Sequence, residues 1–159
     1  IAALWVYAFF FTVRYFDDPN NPDHVEDEVW VADAEAICAA AKADLDTLPT
    51  ARQARSPQDR ALVLDEANDR LAAMVADLRG VRLVSNDEDV RIVEAWLADW
   101  EIHVADRRTH TDRLRAGEDP RFVETAVAGS SMPLSLRIDE FAKRANDMRS
   151  CVTPRDIGG

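Results

Sequence analysis

Apolar residues recur along most of this chain at steps of three and four, the spacing of one face of an α-helix. In the stretch from about His24 to Asp46, one face is formed by Trp30, Ala34, Ile37, Ala41 and Leu45, with Leu48 in line beyond it, Cys38 beside it and Pro49 as the stop. Asp23 is placed to cap this helix, and Glu26, Asp27 and Glu28 fall in its first turn, where the helix dipole favours negative charge. A second helix is announced by Ser56-Pro57-Gln58-Asp59, a serine cap with proline in the first helical position. Its inward stripe is Leu64, Ala67, Leu71, Met74 and Leu78, flanked by Asn68, and Gly80 ends it. The third runs from about Asp87 to Ala116, opened by Ser85 with Glu88 as a capping box and closed by Gly117. Its stripe holds Val93, Trp96, Leu97, Trp100, Val104, Thr111 and Leu114, with Arg107 inside the same arc.

After Gly117 the period changes. Val123 to Val127 reads as extended chain, Gly129 as a turn, and Pro133 is unsuited to a helix interior. A small hairpin or irregular insert is expected there, followed by a short helix from about Leu136 to Asp147 with Ile138, Phe141, Ala142 and Ala145 inward. All five glycines and all seven prolines fall at these boundaries or beyond them, which supports the division. The short link of residues 81–86 makes the second and third helices antiparallel neighbours. The fold class expected is all-α, an antiparallel bundle of three long helices and one short one.

The stretch Ile1–Val13, IAALWVYAFFFTV, breaks the amphipathic pattern: it is apolar on every face and carries no charge before Arg14. Its thirteen residues span roughly 20 Å as a helix, against about 30 Å of bilayer hydrocarbon. We read it as a transmembrane helix truncated at its N-terminus, with Trp5 and Tyr7 suited to the interface. The expected organisation is an anchor over residues 1–16, a linker over 17–23 rich in Pro, Asn and Asp, and a helical domain over 24–159. Only Arg14 is basic before Lys42, so the positive-inside tendency places the C-terminal domain outside the cytoplasm of a single-pass membrane protein.

Charge and cysteines refine this picture. The net charge of −11 repels phosphate backbones and argues against a nucleic-acid partner. Two cysteines, Cys38 and Cys151, in an exported chain suggest one disulfide. Closing so long a loop contributes on the order of 4–5 kcal/mol in the chain-entropy model. There is no Cys-x-x-Cys and no Cys/His cluster.

The chemistry-bearing pattern is Asp99, His103, Asp106 and His110, spaced four, three and four, within about 60° of one another on the third helix. Carboxylates and imidazoles on one face suit a divalent transition metal if a second helix adds ligands. This stripe is centred about 90° from the core stripe, so the expectation is a solvated rim with local Asp–His pairing and no bound metal. Trp30, Trp96 and Trp100 are expected in the core rather than in a ligand box, and Arg107 is expected to pair with an acidic neighbour or to snorkel. The chain has no phosphate-binding glycine loop, no Gly-x-Ser-x-Gly and no His-Glu-x-x-His, so neither an enzyme nor a cofactor is expected.

The order WVYAFF, acidic linker, AEAIC, RALVLDEANDRLAAMVADLR, WLADW, LRAGEDPRF and IDEFAKRANDMRSC with a closing Pro-Arg-Asp resembles a group of uncharacterised single-pass membrane proteins of actinobacteria. The resemblance covers nearly the whole chain. It implies one anchor, a small helical extracytoplasmic domain and two end-to-end cysteines, and no assigned activity comes with it. The function expected is a non-enzymatic interaction or structural module of the cell envelope, held by its anchor and bound to another envelope protein. The alternative is a sensor domain for a small ligand or metal.

Overall fold

A computed structural model describes residues 21–157, apart from Ser85 and the side chain of Arg52. The anchor segment Ile1–Val13 lies outside the described residues. Within them no helix is long and apolar enough to cross a membrane. The elements are α1 (Glu28–Leu45), a 3-10 turn (Ala51–Gln53), α2 (Pro57–Gly80), α3 (Asp87–Arg115) and α4 (Leu134–Glu140), which runs on into a π turn (Phe141–Ala145). The all-helical bundle of three long helices and one short helix is the architecture the periodicity predicts.

The helix ends show why the elements sit where they do. Ser56 accepts from the Asp59 amide at 3.1 Å, the predicted cap of α2. The start of α1 is four residues later than expected: Asp27, not Asp23, is its cap, and accepts from the Trp30 amide at 3.0 Å. Glu26 therefore precedes the helix. Asp27 wins because its other oxygen also accepts from the Val84 amide, so one carboxylate closes both a helix end and the α2–α3 link. These amides hold its pKa below the usual range. At α3 the cap is Asn86, which accepts from the Asp89 amide at 2.9 Å. The expected cap, Ser85, lies outside the described residues. Beyond α3, the Gly117 amide donates to Leu114 and the Glu118 amide to Arg113, a Schellman ending that needs the positive φ of +88° at Gly117.

Two junctions set the helix directions. Buried Asp89, at the start of α3, accepts from the amides of Glu26 and Asp27, so α1 and α3 begin side by side and run parallel. Helix α2 packs against both and runs antiparallel to the C-terminal half of α3, where Arg79 meets Glu101, Asp69 meets Arg108 and Asp65 meets Arg115. The core lies between them. Trp96 meets Trp30 and Trp100 edge-on, at 6.2 and 6.4 Å between ring centroids, and stacks on Phe141 of the π turn at 4.8 Å. The tryptophans are thus core, as their spacing predicts.

The insert is a minimal hairpin. Ala126 and Pro133 form its one bridge, and the Val127 amide donates to Met132 and the Leu134 amide to Thr125. Gly129, at φ +74°, turns it. After the π turn, Asp147 at φ +51° reverses the chain. Asn146 ties this reversal to the start of the domain: its carbonyl accepts from the Val25 amide, and its amide donates to the carbonyls of Asp23 and Phe141.

Cys38 of α1 and Cys151 of the tail form the predicted disulfide, with Cα atoms 5.0 Å apart and both residues fully buried. It spans 113 positions and holds the tail against α1. Replacing both cysteines by alanine is expected to lower the unfolding free energy by about 3 kcal/mol, read from denaturant unfolding of the purified chain. A change below about 0.5 kcal/mol would contradict a structural role for the bridge.

Candidate functional site

The face of α3 that carries Asp99, His103, Asp106 and His110 is not the solvated rim expected. Asp99, His103 and His110 are buried, at 5%, 2% and 5% exposure, and Asp106 is partly buried. The chain after Gly117 folds back along α3 and covers this face. The Phe122 ring lies edge-on to both His103 and His110, at 6.2 and 5.6 Å. Asp106 accepts from the amide and hydroxyl of Thr125, and Asp99 is gripped by two nitrogens of Arg137 from α4. The carboxylates are therefore taken by the covering segment, and the expected local Asp–His pairing does not form. The helical periodicity located this face correctly. What lay on it was hidden, because a hairpin and loop carry no helical period.

Arg107 is the most deeply buried charge among the described residues, at 0% exposure. Its Nε donates to Asn68 of α2 at 2.7 Å, and its two terminal nitrogens donate to the two oxygens of Asp156 at 2.7 Å each. The expected pairing with an acid is thus realised, and the partner comes from the far end of the chain. Burial disfavours the charge on Asp156, yet the hydrogen bonds and charge of Arg107 outweigh it and hold the Asp156 pKa below its usual value. Ile157, next to it, is buried beside Ala61, Leu64 and Leu114. The tail thereby crosses the bundle from the disulfide to the far ends of α2 and α3.

Between this tail, α3, the covering segment and α4 lies a cleft of about 450 Å³. His103 and Arg107 line it from α3, Glu124 from the insert, Asp139 from α4, and Phe122 and Leu136 contribute apolar walls. Glu124 accepts from the Ser135 amide and hydroxyl, at 2.9 and 3.0 Å, which fixes its orientation. Asp139 accepts through Oδ1 from the amide and hydroxyl of Thr153. His103 differs from all of these: neither ring nitrogen has a hydrogen-bond partner among the described residues. Its Nδ1 lies 3.8 Å from Glu124 Oε2, beyond hydrogen-bond range. Ser135 gives its hydroxyl to Glu124 and not to a histidine, so no activated nucleophile is assembled at this point.

Among the described residues no three His, Cys, Asp or Glu side chains converge in a way that would hold a metal ion. Asp99 and Asp106 are turned to Arg137 and Thr125, and His103 and His110 sit on either side of Phe122. The site residues that sequence reasoning missed are Glu124, Asp139 and Asp156. Nothing in their local pattern distinguishes them among 30 acids.

Burial, and then the positive charge of Arg107, push the His103 pKa below its ordinary value, and Glu124, Asp106 and Asp156 oppose this without reversing it. Burial, then Arg60, Arg113 and Arg107, lower that of His110 against the opposing charge of Asp119. Both imidazoles bind protons more readily in the unfolded chain. Their contribution to stability is therefore complete above about pH 6.5 and declines as the pH falls below it. The unfolding free energy is expected to drop between about pH 7 and pH 5, and the drop to flatten in a His103→Gln, His110→Gln variant. Equal slopes in the two proteins, measured by denaturant titration at each pH, would contradict this. Asp156→Ala is expected to cost about 2–3 kcal/mol, because it leaves Arg107 buried and unpaired. A loss below about 0.5 kcal/mol would show the pair to be dispensable.

No protein-family model, no curated protein and no solved structure matches this chain at a significant level, so the functional reading rests on its own residues.

Proposed function

We propose that this chain is a membrane-anchored extracytoplasmic domain that serves as a non-enzymatic interaction module of the cell envelope. The observation that carries the reading is the buried Cys38–Cys151 disulfide. Such bridges persist in oxidising compartments and are rare where cellular reductants keep thiols free. The uncharged run Ile1–Val13 and the polar linker after it supply the second support, since an exported helical domain needs a tether to remain at the membrane. The net charge of −11 supports a protein partner over nucleic acid or an anionic lipid surface. The bundle itself suits such a role: Asp89 ties the starts of α1 and α3, Arg70 ties α2 to the end of α1, and Arg115 ties α3 to Asp65 of α2, which leaves helical faces free for docking. The resemblance to actinobacterial single-pass proteins agrees with this location.

Two measurements on cells producing the full chain test the reading. A thiol reagent applied under denaturing conditions is expected to label Cys38 and Cys151 only after reduction, and protease added outside spheroplasts is expected to digest the helical domain. Free thiols together with protection from protease would overturn the location. Cross-linking in intact membranes followed by capture of the chain is expected to recover one defined envelope protein. Recovery of only the chain itself would overturn the interaction role.

A further inference from the structure

We propose that the cleft between α3, α4 and the tail binds a small organic ammonium ion with a short apolar body. Three features of the cleft lead to this class of ligand. The first is His103, 2% exposed and without a partner on either nitrogen among the described residues, although it lines the cleft. A buried polar atom without a hydrogen bond is costly, and a ligand that supplies the missing bond removes that cost on binding. Burial beside Arg107 keeps the imidazole neutral, so one ring nitrogen presents a lone pair to a donor.

The second feature is the carboxylate beside His103. Glu124 is held by Ser135 with Oε2 turned to within 3.8 Å of His103 Nδ1. That gap is too long for a direct bond and short enough for one donor nitrogen, at about 2.9 Å from each, to bridge both atoms. Asp139 adds negative charge to the lining of the same cleft, with Oδ1 held by Thr153. An ammonium group has N–H donors and no acceptor, which matches the Glu124 carboxylate and a neutral imidazole.

The third feature is charge and shape. Arg107 is already matched by Asp156 and Asn68, so its charge is not free to attract an anion. Arg155 lies at the exposed mouth, where water screens it. Phe122, Leu136 and Ile157 supply apolar wall, and about 450 Å³ suits a small molecule. The two-point donor requirement excludes a purely apolar ligand, and the negative charge of Glu124 and Asp139 disfavours an anionic one. Among the described residues no three His, Cys, Asp or Glu side chains converge to hold a metal ion.

The test uses three probes with one carbon skeleton, n-butylammonium, n-butanol and butyrate, titrated into the full chain labelled with 15N-histidine. Butylammonium is expected to shift the His103 ring signals saturably, to bind on the order of tenfold more tightly than butanol, and butyrate to leave the signals in place. Glu124→Gln is expected to weaken butylammonium by on the order of tenfold, with circular dichroism showing the fold retained. Because Glu124 also holds Ser135, a second variant guards the interpretation. Leu136 is 46% exposed at the cleft, and Leu136→Trp is expected to block the probe without disturbing the core. Butyrate binding as tightly as butylammonium, ring signals unmoved at saturating ammonium, or undiminished binding to the Leu136→Trp variant would each overturn the proposal.

Discussion

A guanidinium group with no access to water must be matched inside the protein, and much of this structure follows from how Arg107 is matched. Its charge sits on the inward arc of α3, beside the apolar stripe. It donates one hydrogen bond to Asn68 of the neighbouring helix and two to Asp156, almost fifty residues further along the chain. An unpaired buried charge costs several kcal/mol, so the folded state is strongly favoured only when the tail returns to this point. The tail's return buries Ile157, lays Thr153 on Asp139 and closes one wall of the cleft. The charge thus acts less as a source of net stability than as a requirement that the last segment take one path.

The other end of the bundle is organised by the same logic with carboxylates and amides. Asp27 and Asp89 satisfy the free amides where α1 and α3 begin, and Asn146 binds the chain reversal after α4 to residues just before α1. The disulfide lies between these two polar anchors. It fixes the tail to α1, so that the remaining residues have only a short distance to travel before Asp156 reaches Arg107. Helices α1 to α3 form three sides of the domain by apolar packing. The fourth side is made of hairpin, short helix and tail: the short helix and π turn pack Leu134, Ile138, Phe141 and Ala142 into the core, while Asp106–Thr125, Asp139–Thr153 and Arg107–Asp156 contacts fasten the hairpin and tail. A cleft lined by buried polar groups is found on that side.

The three long helices were legible because apolar spacing, caps and Gly or Pro stops agree along α1, α2 and α3. The disulfide was legible because two cysteines allow one pairing. Helix starts were less so. Asp23, Asp27, Ser85 and Asn86 are all chemically competent caps, and the choice of Asp27 rests on its second bond to Val84, a contact 57 positions away. The face with Asp99, His103 and His110 was misread as solvated because helical periodicity reports only what packs regularly. Its cover is Phe122 and a hairpin, in which burial follows from tertiary position. Phe122 was the available signal: a large aromatic residue in a polar insert has to be buried against something. The tail's role was least legible, since Asp156 is one acid among many until Arg107 is seen to be sealed.

The account stands on the claim that the Arg107–Asp156 pair holds the tail in place while apolar packing holds the helices. Amide hydrogen exchange of an Asp156→Asn variant, read residue by residue, tests it most directly. The account predicts that the Thr153 amide loses protection, while core amides of α2 and α3 keep most of theirs. Protection unchanged at Thr153, or lost uniformly across all helices, would contradict it.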